Sequence, residues 1–385
     1  MSPLWWLAAL PWIVIPIVIL WRGSRSRTLD EVPDESPADA PLVSVIVPAR
    51  NEARNIAACA RSILSTTYPS IELIVVDDRS EDETGAIARS VAREDERLRV
   101  LDAPPLPEGW FGKQWACATG ARQARGTILL FTDADTRHAP DLLPRAMRVM
   151  RARGADLVSV MGRQELGTFW ERVIQPQVFT ILLARYGGTE WVNESRSAVH
   201  KIANGQFLAT TREAYDAVGG HESVRDNVAE DLALAQRYFA AGKRTVLVIG
   251  LEQLSTRMYE SFGEIVRGWM KNVFAGGRHA APGGRLGRLF TPVGLLVAPM
   301  FILAPAIALI AALLGVGPPG LLTASLVAVA AELGFWAIVY RGFSRMSPLW
   351  ALTFPLGASV LLYIFVRALA RGSRVEWKGR EYRAA

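Results

Sequence analysis

Residues 127–136 read TILLFTDADT. An apolar run ends in two carboxylates, Asp133 and Asp135, with only Ala134 between them. Charged groups are expensive to place against a core unless something compensates them. The pair could hold a divalent cation against a diphosphate, could be the nucleophile and acid of a phosphoryl transfer, or could be a solvated turn.

The flanking pattern sets the fold class. From residue 42 to about 250 an apolar strand is followed repeatedly by an amphipathic helix. The spacing predicts strands at 42–48, 71–77, 98–102, 127–132 and 155–161, with helices near 53–66, 83–95, 113–125 and 141–153. Such alternation argues for an α/β domain with a mainly parallel sheet flanked by helices. Open sheets of this kind bind ligands at the carboxyl ends of their strands. Asp77 and Asp78 end the second predicted strand, and Asp133 and Asp135 end the fourth. No G-x-G-x-x-G follows the first strand and no Walker loop is present, which argues against a dinucleotide dehydrogenase and a P-loop kinase.

Half of the 385 residues are hydrophobic, and the excess is local. Residues 4–21 carry no charge, and apolar runs recur at about 289–314, 320–340 and 347–366. Each approaches the roughly 20 residues needed to cross a bilayer. The first run lacks a basic leader and a small-x-small cleavage site, so it reads as an uncleaved anchor. Arg22, Arg25 and Arg27 follow it, placing the domain beyond it in the cytoplasm. The expected organisation is an N-terminal transmembrane anchor (1–22), a linker (23–41), a catalytic domain (42–258), an interfacial amphipathic segment (259–288), a transmembrane region of about three segments (289–370) and a basic tail (371–385). The interrupted apolar stretch 166–186 is expected to lie in the membrane interface. Four crossings would put the tail outside, whereas its arginines and lysine favour the cytoplasm; a re-entrant 289–314, broken at Pro292, Pro299 and Pro305, would reconcile the two. Glu332, in the third run, is either functional or near a helix end facing water. The net charge of +6 gathers beside the apolar runs, which suits anionic headgroups, and no nucleic-acid module is present. Cys59 and Cys117 offer no disulfide or zinc framework.

Transfer of a sugar from a nucleotide diphosphate needs charge neutralisation at the leaving diphosphate, a hydrogen-bonding partner for the base, and a general base for the acceptor hydroxyl. Asp133 and Asp135 are the candidate ligands for Mg²⁺ or Mn²⁺. Of Asp77 and Asp78, one could meet a base N–H while the other orients the loop; both could instead cap the following helix. Lys113 opens a helix and could meet phosphate, or be simply solvated. Glu230 and Asp231 open another helix; one could be the general base, or both could stabilise the helix end.

Taken together, VSVIVPARNE (43–52), VVDDRSEDET (75–84), FTDADT (131–136), ANGQFLATTREAYDAVGG (203–220) and AEDLALAQRYFAAGKR (229–244) resemble the successive motifs of family 2 glycosyltransferases. Residues 104–121 and 377–382 resemble, more narrowly, the membrane-bound branch with hopene-associated and carotenoid glycosyltransferases. The resemblance implies the GT-A nucleotide-diphospho-sugar transferase fold and inversion at the anomeric carbon. It implies that Pro48, Arg50, Glu52 and Asp78 line the nucleoside pocket, that Asp133 and Asp135 bind diphosphate and metal, and that Asp231 deprotonates the acceptor. Membrane relatives carry Q-x-x-R-W after the base. Here Glu264, Arg267 and Trp269 stand in EIVRGWMKN, a departure that argues against processive polymerisation. D-x-D-x-T also resembles the haloacid-dehalogenase signature, but there the motif ends the first strand, whereas three strands are expected before it here.

The expected partners are therefore a nucleotide-sugar donor, first of all a UDP-sugar, the bilayer itself, and a membrane lipid acceptor such as a polyprenol phosphate, hopanoid, carotenoid or glycerolipid. The expected location is the inner cell membrane, multi-pass, with the catalytic domain on the cytoplasmic face. A polysaccharide synthase and a catalytically silent membrane scaffold are the alternatives.

Overall fold

The computed structural model describes residues 5–31, 40–280, 284–342, 344–371, 374–377 and 380–383. The chain forms two compact units: Ser26–Glu165, Val192–Met258 and Ser373–Ala385 make one, and Met1–Arg25, Leu166–Trp191 and Tyr259–Gly372 make the other.

Ten strands make the two larger sheets of the first unit: β1 (Val43–Ala49), β2 (Ile71–Asp77), β3 (Leu98–Asp102), β4 (Ile128–Phe131), β5 (Thr136–His138), β6 (Leu157–Met161), β7 (Arg163–Gln164), β8 (Leu208–Thr211), β9 (Thr245–Ile249) and β10 (Leu254–Thr256). Seven of them form one sheet in the order β3-β2-β1-β4-β8-β6-β9. The β1–β2, β2–β3, β1–β4 and β6–β9 pairs are parallel, and β8 runs antiparallel between β4 and β6. The expected parallel sheet is thus mixed, because one strand returns through its middle.

Helices cover both faces, so the central strands are apolar throughout rather than alternating. The pleat still divides them. Val43, Val45 and Val47 of β1 join Ile128 and Leu130 of β4 in one core, while Ile46 joins Leu129 and Phe131 in the other. Each such side chain, fully buried, stabilises the domain by about 1.5–3 kcal/mol. Strand order reverses direction at β1, with β2 on one side and β4 on the other, so the carboxyl ends of these two strands flank the switch point where ligands collect. A second sheet, β5-β10-β7, receives the chain directly after the D-x-D turn. Near the end of the chain, Arg374–Trp377 pairs antiparallel with Arg380–Arg383.

The second unit is helical. Four of its helices among the described residues are long and apolar enough to cross a membrane: Trp5–Ser24, Gly294–Leu313, Leu321–Gly342 and Pro348–Arg371. The Gly284–Leu313 helix runs unbroken through Pro292, Pro299 and Pro305, so the turn that a re-entrant segment needs is not there. Exposed apolar side chains such as Ile307, Ile310 and Leu326 ring the unit, a surface suited to lipid.

The stretch expected at the interface is the Phe169–Tyr186 helix. It starts with a reciprocal cap: Thr168 N donates to Glu171 Oε2 at 2.5 Å, and Glu171 N to Thr168 Oγ1 at 3.4 Å. Its Val173, Ile174 and Val178 are buried with Ile265, Leu361 and Phe365. The polar groups that interrupt its apolar run are answered only in part: both polar atoms of Gln175 and Gln177 Oε1 are buried without a hydrogen-bond partner among the described residues. Gln177 Nε2 donates to Phe354 O at 2.9 Å, and Arg172 O accepts from Tyr340 Oη at 3.1 Å. Glu332 is buried and accepts from Trp336 Nε1 at 2.7 Å, so its partner lies on its own helix rather than in water.

Candidate active site

The chain leaves β4 at Thr132, whose N–H still bonds to Ile46 O at 3.1 Å. The next side chain but one, Ala134, points into the core beneath the sheet. A small spacer directed inward leaves Asp133 and Asp135 on the outer side of the turn. Two hydroxyls hold the backbone there: Thr136 Oγ1 donates to Asp133 O at 2.8 Å and Thr256 Oγ1 to Asp135 O at 3.3 Å.

Lys113, at the start of the Gly112–Gln123 helix, reaches this turn. Its Nζ lies 2.7 Å from Asp133 Oδ1 and 2.7 Å from Glu230 Oε1. Glu230 and Asp231 open the Glu230–Ala240 helix. Asp231 is held by two backbone donors, Gly205 N to Oδ2 at 2.9 Å and Leu232 N to Oδ1 at 2.8 Å. Pro48, Phe131, Gly205 and His221 complete one cavity with Lys113, Asp133, Glu230 and Asp231. Residues as far apart in sequence as Pro48 and Asp231 therefore meet at the carboxyl ends of β1 and β4.

The electrostatics are those of a crowded acidic site with one internal cation. Burial pushes Asp135 up to about 7, helped by the negative charges of Asp133 and Glu52. Burial raises Asp133 too, with Lys113 pulling the other way. Burial raises Asp231 to about 6, and neighbouring Glu230 adds to it. Burial also opposes ionisation of Glu230, but the Lys113 ammonium outweighs it and holds that carboxyl below its ordinary value. Burial works against the charge on Lys113 as well; Asp133, Glu230 and Asp231 overcome it and raise the ammonium well above its usual range.

A divalent cation fits this chemistry. Asp135 Oδ1 is buried without a hydrogen-bond partner among the described residues, an acceptor that costs stability until something positive meets it. Among those residues no three His, Cys, Asp or Glu are grouped as a self-sufficient metal site. The protein would thus supply Asp133 and Asp135, and the remaining oxygens would come from diphosphate and water, as is usual for Mg²⁺.

The residues expected to meet the nucleoside gather around the loop after β2. Arg50 is buried and braces that loop, donating to Asp78 O at 2.9 Å, Arg79 O at 2.5 Å and Glu81 Oε1 at 2.7 Å. Asp77 accepts from Ser80 N at 3.0 Å and Ser80 Oγ at 2.5 Å, which makes it the loop-orienting member of the acid pair. The Asp78 carboxylate accepts from Arg79 Nη2 at 3.0 Å. Glu52 N bonds to Thr84 Oγ1 at 2.7 Å, tying the loop after β1 to the start of the Thr84–Ala92 helix beyond β2. Arg267 and Trp269 lie in the helical unit, on the Phe262–Ala280 helix. Trp269 is buried there against Phe179 and Tyr259, with ring centroids 5.9 and 6.1 Å away.

Sequence reasoning did not single out Gly205, Thr132, His138 or His221. Gly205 stands within the quoted 203–220 motif, and a glycine between two polar residues was the available signal. A Cβ there would sit 3.1 Å from Lys113 Nζ and 3.3 Å from Asp231 Oδ2. His221 packs edge-on to Phe131 at 4.4 Å, and Tyr215 Oη lies 2.9 Å from its Nδ1.

The sheet order and the D-x-D turn between the two sheets are those of the GT-A fold. Residues 44–207 match the family model Glycosyl transferase family 2, and the chain carries a domain of that family. It is 26% identical over 359 residues to the 4,4'-diaponeurosporenoate glycosyltransferase of Staphylococcus aureus strain USA300, covering 88% of each chain. The same enzyme of strain MRSA252 is 27% identical over 358 residues, again covering 88% of each. Among solved structures, the mannosyltransferase PcManGT of Pyrobaculum calidifontis, in complex with GDP-Man and Mn²⁺, aligns with a TM-score of 0.59 and 22% identity, over 93% of this chain and 99% of that one.

Proposed function

We propose that this glycosyltransferase is membrane-bound and moves a sugar, with inversion, from a nucleotide-diphosphate sugar to an acceptor dissolved in the bilayer, working from the cytoplasmic face. The observation that carries the reading is the Lys113 bridge, which ties Asp133 of the D-x-D turn to Glu230 and sets Asp231 beside them in one cavity.

In this reading Asp133 and Asp135 hold Mg²⁺ or Mn²⁺. When bound, the ion neutralises the charge that develops on the departing diphosphate. Lys113 offers a second positive group to the same oxygens. Arg50, Glu52, Asp77 and Asp78 shape the loop that receives the nucleoside, with Pro48 at its floor. Asp231, fixed by Gly205 N–H and Leu232 N–H, accepts the proton of the acceptor hydroxyl as that oxygen attacks the anomeric carbon from the side opposite the diphosphate. Glu230 stays ionised on Lys113 and keeps that lysine turned toward the turn.

The four apolar helices support a membrane location, and Arg22, Arg25 and Arg27 beyond the first support the cytoplasmic side. The relationship to an enzyme named for a carotenoid-type acid supports an apolar lipid acceptor. The structure of PcManGT holds GDP-Man with Mn²⁺, so GDP-sugars belong beside UDP-sugars as trial donors.

The test uses the full chain in detergent with Mn²⁺ and UDP- or GDP-sugars, with and without membrane lipid extract, scored by nucleotide release and by mass spectrometry of the lipids. A new glycolipid that requires Asp133 and Asp231 is the expected result. No nucleotide release with any donor would overturn the reading in favour of a scaffold. Loss of an exported polymer, rather than of a glycolipid, in a deletion strain would favour a polysaccharide synthase.

A further inference from the structure

Beneath the D-x-D turn lies a buried polar cluster that the transfer chemistry does not use. Thr132 Oγ1 is 2.7 Å from Gln206 O, and Thr136 Oγ1 is 2.8 Å from Asp133 O. Carbonyls only accept, so each hydroxyl spends its one proton on its carbonyl. The two hydroxyl oxygens nevertheless stand 3.1 Å apart, lone pairs facing, with no proton left to place between them. His138 Nε2 lies 3.0 Å from the first and 3.2 Å from the second. The Cys59 thiol adds only a long contact, with Sγ 3.6 Å from Asp133 O and 3.7 Å from Thr136 Oγ1.

From this proton inventory we infer that His138 is a positioning residue for the D-x-D turn: its Nε2–H donates to both threonine hydroxyls, directs the Thr136 proton onto Asp133 O, and so fixes the two carboxylates for the cation. The imidazole is neutral throughout, since burial lowers it to about 3, and its tautomer is set by the two acceptors it faces. An aliphatic side chain of similar bulk leaves the two oxygens opposed. Thr136 then gains by turning its proton to Thr132, which releases Asp133 O. A glutamine keeps an N–H at about the reach of Nε2.

The inference rests on the proposed metal role of Asp133 and Asp135, and the experiment separates the two. Mn²⁺ is titrated into the full-length detergent-solubilised protein with UDP and with GDP, and free Mn²⁺ is followed by electron paramagnetic resonance, for wild type, Asp133→Ala, His138→Leu and His138→Gln. Expected are tight binding by wild type, none by Asp133→Ala, ~10-fold or greater weakening by His138→Leu, and recovery to within about threefold by His138→Gln. Melting curves check that all four are folded. If His138→Leu folds and binds Mn²⁺ as wild type does, or if His138→Gln is as weak as His138→Leu, the positioning role is wrong while the metal site stands. Should His138→Leu fail to fold, the glutamine variant decides alone. If wild type and Asp133→Ala bind equally, the metal reading falls and this inference falls with it.

Discussion

Gly205 N–H donates to Asp231 Oδ2 at 2.9 Å, and the lack of a Gly205 side chain lets both that carboxylate and Lys113 Nζ lie close against its backbone. A methyl group there would stand 3.3 Å from the oxygen and 3.1 Å from the nitrogen. Both would have to move by a few tenths of an ångström. Small displacements of reacting groups act on the chemical step more than on binding. Gly205→Ala should therefore lower kcat about 10-fold with little change in Tm, measured by steady-state nucleotide release and thermal melting. An unchanged kcat would show that Asp231 does not need this exact placement.

The acidity of Asp231 gives the pH dependence a sign. A general base works as the carboxylate, and burial together with Glu230 pushes Asp231 up to about 6. Protonation on the acid side of that value disables it. The logarithm of kcat/KM should fall with unit slope as pH drops below about 6 and level off above it. Asp231→Asn should retain donor binding and lose transfer across the whole range, checked by donor titration alongside turnover.

Lys113 has two acidic partners at 2.7 Å, Asp133 and Glu230. Lys113→Met removes the cation from both. Glu230 is then a buried acid without its counter-charge, and stability should drop by about 2 kcal/mol, below the cost of one-sided loss of a fully buried pair because Lys113 is partly exposed. Donor KM should rise as well. Lys113→Arg should restore much of the stability, since the charge is kept, but less of the donor affinity, since the wider guanidinium does not fit the same gap. Denaturant melts and donor titrations separate the two effects.

How much of this was legible beforehand follows from burial. β1, β2 and β4 are covered on both faces, so Val43–Ala49 and Ile71–Asp77 read as apolar runs interrupted only by Ser44 and Glu72, and β2 and β4 lead into acids. β8 was not legible as a sheet member. It has four residues, two of them threonines, and the polarity of Thr210 is answered inside the fold by Tyr238 Oη at 2.8 Å and Asp156 O at 2.9 Å. The antiparallel insertion therefore carried no local signal. The carboxylates of the site were readable from their strand and helix ends, whereas the partner that joins them was not: nothing near Lys113 in sequence shows that it meets Asp133 and Glu230. The same is true of His138, whose neighbour Thr132 depends on Gln206 O arriving from the turn before β8. Arg267 and Trp269 were identified only through a degenerate motif, and their packing belongs to the helical unit.

Asp135 allows a test that does not depend on knowing the substrate. Its Oδ1 lacks a hydrogen-bond partner among the described residues, and its carboxyl is raised to about 7 by burial, then by Asp133 and Glu52. A carboxyl whose folded-state pKa lies above its unfolded value weakens the fold progressively as pH rises from the unfolded value, and the penalty is complete above the raised one, because ionisation is harder in the folded state. At pH 8 and without divalent ions, Asp135→Asn should remove that penalty and raise Tm by a few degrees. At pH 5 the wild-type group is already protonated, and the two proteins should melt closer together. Addition of Mn²⁺ with nucleotide should raise the wild-type Tm at pH 8 and leave the Asn variant unmoved, because the amide is a far weaker ligand. A variant that melts lower than wild type in the metal-free state at pH 8 would mean that Asp135 is stabilised by a favourable partner, and the case for a cation at this turn would lose its strongest structural support.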